Sequence, residues 1–310
     1  MTAQQKSYSR AAVSTSLAFV GILAMSLTMR SGATSTGPLL STISQAYSAR
    51  EGALGGLSAL PCLVFAGVGL LAVPLSKRWG MSAVLTTGTA LSGLGLLVRP
   101  WAGNFTLFCL LSVVALIGPA LANVLVPAWI KFHEAGRRML LITTYGTVLL
   151  IGGAAGSAFA VPLSGHDGQL WRSSLASWAI FAVIAGAIWI KISGLVRRDS
   201  PDGGTRSTET SQATKRRPIY HSRTAIALVL GFGLQALNAY VQFAFLPQIL
   251  MNAGYSAGFA SIMTALVNLW AVLGGLVIPF MIDHMGTHIP WLSIIFGLLT
   301  FVGWIGLVLV

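Results

Sequence analysis

The chain has 310 residues, of which 55% are hydrophobic and only 8% charged, with a formal net charge of +12. Soluble domains carry about a quarter of charged residues, so a soluble globular fold is excluded, as are a disordered chain and a collagen-like repeat. The two cysteines, Cys62 and Cys109, sit in apolar runs and suggest neither a disulfide framework nor a metal site.

A helix crossing a hydrocarbon core of about 30 Å needs roughly 20 residues, so charge-free apolar stretches of that length mark membrane crossings. The first runs over 11–49 and is interrupted by one charge, Arg30. Lys6 and Arg10 precede it as they would a signal peptide. The run is too long for such a segment, however, and ends in no small-residue cleavage site, so it is expected to stay as a crossing. Crossings two to six follow over 52–76, 79–98, 100–130, 139–165 and 173–190. Residues 194–223 are polar, basic and rich in Ser, Thr, Gly and Pro, and bury too little apolar surface to fold alone. The stretch 224–282 is long enough for crossings seven and eight, with a turn sequence from Asn252 to Gly258 between them, and 289–310 supplies the ninth. The expected fold is an all-α membrane bundle: six helices in 1–193, a cytoplasmic linker over 194–223, and three helices in 224–310.

Fifteen of the 19 lysines and arginines fall on one side of these crossings; Arg30, Arg50, Arg99 and Arg172 remain for the other side or the membrane. That bias predicts a cytoplasmic amino terminus in a cell (inner) membrane and an attraction for anionic lipid headgroups. The basic residues are spread over short loops without an aromatic stacking platform, which argues against nucleic acid as a partner.

Two local echoes relate the halves. Ala46-Tyr47-Ser48-Ala49 returns as Gly254-Tyr255-Ser256-Ala257 at an offset of 208, and the Pro74–Gly80 helix end returns as Pro279–Gly286 at offsets of 205 and 206. Parallel halves of this kind are an architecture of secondary transporters. A repeat of that size implies a complete chain of about 400 residues, so the second half is expected to lack three helices. A truncated membrane protein that transports nothing is accordingly one reading.

The segment Met29-Arg30-Ser31-Gly32-Ala33-Thr34-Ser35-Thr36-Gly37-Pro38-Leu39 resembles the N-L-R-P-A-x-T-S-V-G-P-L signature of the bacterial cyanate and nitroimidazole transporters, within the major facilitator superfamily. It departs at Thr28 and Ser31, which replace asparagine and proline. Leu57–Pro61, Arg99, Asn123–Pro127 with Lys131, Trp171-Arg172, Phe232–Gln235 and Leu246-Pro247 match as well. The resemblance implies a twelve-helix fold with solute bound between two six-helix halves.

An arginine inside the bilayer costs about 2.5 to 3.5 kcal/mol on insertion scales, so Arg30 requires a reason. It is either an interfacial residue at the end of a short helix or, on one long helix, a cavity residue sharing a face with Ser26 and Thr34 and binding an anion. On the seventh crossing Gln235, Asn238 and Gln242 form a stripe that can face the same cavity or bridge neighbouring helices. Asn123 lies four residues from both Pro119 and Pro127, and resembles the family's pore residue. Asn268 with Thr264 is a further polar pair, while Tyr240 and Trp270 read as packing or interface aromatics. Gly152 and Gly156 have the spacing that brings helices together.

The loop Lys77-Arg78-Trp79-Gly80 loosely resembles the superfamily's cytoplasmic latch, without its usual acid; Asp283 takes the equivalent place in the second half. Lys77, Arg78 and Asp283 are therefore the gating candidates. No paired carboxylates, metal-ligand spacing, phosphate loop or activated nucleophile is present, so neither an enzyme nor a cofactor is expected. The expected function is alternating-access transport of a small solute, with cyanate or a similar anion first and efflux of a nitroimidazole-like or drug-like compound as the alternative. Moving an anion into a negative interior works against about 2.3 kcal/mol per charge per 100 mV, so accumulation needs coupling, for which a proton is the unassigned candidate.

Overall fold

A computed structural model of the chain describes residues 14–165, 168–196, 199, 222–285 and 289–308. These residues are almost wholly helical. Crossing one is two helices, α1 (Thr15–Thr34) and α2 (Leu40–Tyr47), rather than one. The break falls at Gly37-Pro38, since proline has no N–H to continue the ladder and pushes its predecessor out of helical geometry. Helix α3 (Glu51–Trp79) stops at Gly80, whose φ of 90° lets the chain turn directly into α4 (Met81–Val98). Asn104 caps α5 (Phe105–His133), its Oδ1 accepting from the Leu107 N–H at 2.8 Å. Next come α6 (Arg138–Ala160) and a sixth crossing interrupted at Trp178, α7 (Trp171–Ser177) and α8 (Ala179–Leu195). Beyond the linker lie α9 (Arg223–Asn252), α10 (Ala257–Met285) and α11 (Ile289–Val308). Among the described residues eight helical spans are long and apolar enough to cross a membrane, and α11 adds the shorter apolar segment Ile294–Leu307.

Helix α1 runs through the first half, against α6 and α8, while α4 packs between α5 and α8, and α3 lies on α5. Trp129, Trp189, Met81, Leu85, Leu125 and Ile130 fill one end of the core, and Leu39, Ile43, Phe108, Trp171 and Leu175 the other. The tryptophan donors there are satisfied: Trp189 Nε1 donates to the Gly21 carbonyl at 3.1 Å and Trp129 Nε1 to Ser82 Oγ at 2.8 Å. Lipid tails are as apolar as leucine, so close backbone approach rather than hydrophobic burial must hold such helices together. Gly152 and Gly156 supply it, seating α6 on Leu27 and Ser31 of α1. The second half joins the first through α10 on α6 and α9 on α3.

Candidate central binding site

Arg30 lies one turn before the end of α1 at Thr34, with α2 following after the Gly37-Pro38 break, and is half-buried. Its guanidinium carbon is 5.4 Å from the centre of the Phe243 ring on α9, a cation–π distance. Tyr145 on α6 and Tyr240 on α9 lie within electrostatic reach of the same charge. The Tyr145 hydroxyl donates to Asn123 Oδ1 at 3.2 Å, which links α5 to the group. No hydrogen bond or ion pair to the Arg30 guanidinium occurs among the described residues, so its five N–H donors are available to a ligand.

The face that would have joined Ser26 and Thr34 to Arg30 turns elsewhere. Ser26 is fully buried with its hydroxyl on the Ile22 carbonyl at 2.7 Å. Thr34, 1% exposed, donates to the carbonyls of Gly153 at 2.9 Å and Arg30 at 3.1 Å. Both hydroxyls thus serve helix packing, because residues four apart drift round a helix enough for a close neighbour to cover one and not the next.

The seventh-crossing stripe is also separated from Arg30. Asn238 and Gln242 line a cleft of about 730 Å³ between α9, α10 and α11, where Trp304 Nε1 donates to Asn238 Oδ1 at 2.8 Å. Gln235 is exposed. Tyr240 and Phe243 occupy the other face of α9: Tyr240 packs edge-on against Phe65 of α3 with centroids 5.8 Å apart, and Phe243 meets Arg30. Near them the α1–α2 break presses on α9, with the Gly37 backbone against the Phe243 carbonyl and Gln248 Nε2 donating to the Gly37 carbonyl at 3.1 Å. A side chain at position 37 would collide there. Arg30 and Asn123 therefore fall in one group with Tyr145, Tyr240 and Phe243. The three-residue spacing of Tyr240 and Phe243 was the available sequence signal for the aromatic wall.

Lys77 and Arg78 are exposed at the end of α3, with the Arg78 guanidinium 5.7 Å from the Trp79 ring. Asp283 belongs to α10, but its side chain lies outside the described residues. An acid of the linker reaches the start of α4. Asp199, 3% exposed, accepts the Ser82 N–H on both carboxylate oxygens at 3.0 and 3.1 Å and the Ser82 hydroxyl at 2.7 Å. Its own carbonyl accepts the Met81 N–H at 2.8 Å, and His133 Nε2 stands 3.7 Å from the carboxylate. Asp199, in a segment expected to be solvated, thus sits on the amino terminus of α4, where orphan N–H groups and the helix dipole favour an anion. Asp199→Ala should cost about 1–3 kcal/mol by leaving those buried donors unpaired, with Asp199→Asn milder. Thermal melting in detergent checks this, and an unchanged Tm would show that the segment is not held there.

The family model described as Major Facilitator Superfamily matches residues 17–310. The 2-nitroimidazole transporter of Escherichia coli (strain K12) is 33% identical over 265 residues, covering 86% of this chain and 65% of that protein. The cyanate transport protein CynX of the same organism is 27% identical over 289 residues, covering 92% of this chain and 72% of that protein. The chain therefore spans 65% of the length of the first of these relatives. Among solved structures, a bacterial homologue of the human lysosomal transporter Spinster, inward-facing and occupied, aligns with a TM-score of 0.70 at 16% identity. That alignment covers 88% of this chain and 62% of the other and shows a shared fold.

Proposed function

Since the chain belongs to the Major Facilitator Superfamily, we propose that it carries a small solute across the cell membrane by alternating access, with Arg30 holding the solute's anionic or acceptor end. The observation that carries this reading is a half-buried guanidinium within the first apolar span, beside Phe243, with no partner for its donors among the described residues. A charge placed there at a cost is explained by a ligand that uses it. Cyanate is one such solute, and a transporter of it is among the relatives. A second reading, a nitroheterocycle, is supported by the 2-nitroimidazole relative and by the aromatic residues Tyr240 and Phe243 near Arg30.

With the amino terminus in the cytoplasm, the contact of the α1–α2 break with α9 is the external gate, held shut by Gly37 and Gln248. Lys77 and Arg78 then lie on the cytoplasmic side. Proteoliposomes offered labelled cyanate and labelled 2-nitroimidazole test the proposal. Saturable uptake of at least one, with competition by the other, is the expected result; uptake of neither above that of empty liposomes overturns it.

A further inference from the structure

Arg99 stands just past the end of α4 and is 2% exposed, and no acid lies within ion-pair distance of it among the described residues. A buried charge without an opposite partner is costly, and an apolar side chain of similar length would fill the space without that cost. Among the described residues its guanidinium makes one hydrogen bond, from Nη2 to the Gly32 carbonyl of α1 at 2.7 Å, while its Nε is buried without a partner. The Phe108 ring lies 6.0 Å from the guanidinium carbon, at the outer edge of cation–π reach.

The Gly32 carbonyl supplies the reason for the charge. Because α1 stops before the Gly37-Pro38 break, its last carbonyls lack the N–H groups of a following turn. The Thr36 N–H, which would continue the ladder to Gly32, bonds to the Ala33 carbonyl at 3.4 Å instead. Gly32 is left with the Arg99 guanidinium and, at 3.3 Å, the Ser35 hydroxyl. A cation is favoured at this negative end of the helix dipole. The segment from which Arg99 reaches is itself tied down, since Arg172 Nε donates to the Pro100 carbonyl at 3.0 Å.

The same turn carries Arg30 on its other side. A Cβ on Gly32 would meet Leu96 of α4 at 2.6 Å, so this face of α1 lies on α4. Arg30, two residues and about 200° away round the helix, faces Phe243 of α9.

We infer that Arg99 is a positioning residue for the solute site: by holding the Gly32 carbonyl it fixes the last turn of α1 on α4, and so sets where Arg30 presents its guanidinium. This rests on the central-site reading above and extends it. Arg99 acts through the backbone and touches no solute. A group that binds a ligand keeps its aim only while the residues behind it are locked, and the helix break leaves this turn without the intrahelical bonds that would lock it.

The test is a double-mutant cycle on the full chain in nanodiscs, with equilibrium binding of 2-nitroimidazole and of cyanate as the readout and thermal melting alongside. Arg99→Met keeps the length and removes the charge and donors. It is expected to weaken binding of whichever probe the wild type binds by about tenfold. In the Arg30→Lys background the same change should alter affinity by less than about twofold, because no planar fork is left to place. A lowered Tm with affinity within about twofold of wild type would make Arg99 purely structural and overturn the inference. So would equal weakening with and without Arg30→Lys. Where Arg99→Met yields no folded protein, Arg99→Gln, which keeps a neutral donor, goes through the same cycle and is read by the same criteria. Failure of the underlying reading has a different signature: neither probe would bind, or Arg30→Lys alone would leave their affinities unchanged, and the inference falls with it.

Discussion

Arg30→Lys is expected to lower solute uptake by about ten- to a hundredfold, and Arg30→Ala by more, with the fold unharmed. Lysine keeps the charge but replaces a planar fork of donors by a point charge on a flexible stem, and loses the flat group that faces Phe243 at 5.4 Å. Charge-assisted hydrogen bonds contribute about 1.5–3 kcal/mol each, and each 1.4 kcal/mol is a factor of ten in affinity. Stability should respond in the opposite sense. The guanidinium has no protein partner among the described residues, so its removal breaks no protein hydrogen bond and relieves a charge from the bilayer interior. A transport assay paired with a melting curve separates the two effects. Uptake by Arg30→Ala within twofold of wild type, or a marked fall in its Tm, would show that the arginine is structural.

Gly156→Leu is expected to abolish assembly of the first half. A Cβ at this position would stand 2.8 Å from Ser31 Cα and closer still to the Thr34 hydroxyl, a collision largely with backbone that no rotamer change relieves. Moving α6 away from α1 would also break the Thr34 bond to the Gly153 carbonyl and lift Gly152 off Leu27. Overpacking a well-filled contact costs about 1–3 kcal/mol, and loss of an interhelical hydrogen bond in a membrane adds about 0.6 kcal/mol. The variant should aggregate or melt far below wild type on size-exclusion chromatography after heating. Gly67→Leu is the control, since nothing lies within 4 Å of a Cβ there and the position is exposed on α3. Similar melting of the two variants would remove glycine seating as the basis of the α1–α6 contact.

These two positions differ in how they are read. Arg30 is conspicuous in sequence because a charge inside an apolar run is costly wherever the helix points. Gly156 was marked by its spacing from Gly152, but which helix it would meet was settled only by α1 crossing at that point. Asp199 left no signal at all: it caps α4 across 117 residues of chain, and nothing in the sequence sets it apart from Asp202 and Glu209 in the same polar linker.

The apolar stretches, the polar run between them, the charge inside the first stretch and the family resemblance are all legible in the residues alone. All of these are one-dimensional: the hydrocarbon thickness demands about 20 apolar residues per crossing, and composition along the chain answers that demand directly. The tertiary structure decided which way each crossing faces. It turned Asn238 and Gln242 to the cleft between α9, α10 and α11, buried Ser26 and Thr34 in helix contacts, and gathered Tyr145, Tyr240 and Phe243 around Arg30. In a soluble helix an apolar stripe would have announced the rotation, but these helices are apolar on nearly every side. Their orientation is set instead by where small residues let backbones approach and where a proline breaks the helix, and both depend on the neighbour as much as on the segment itself.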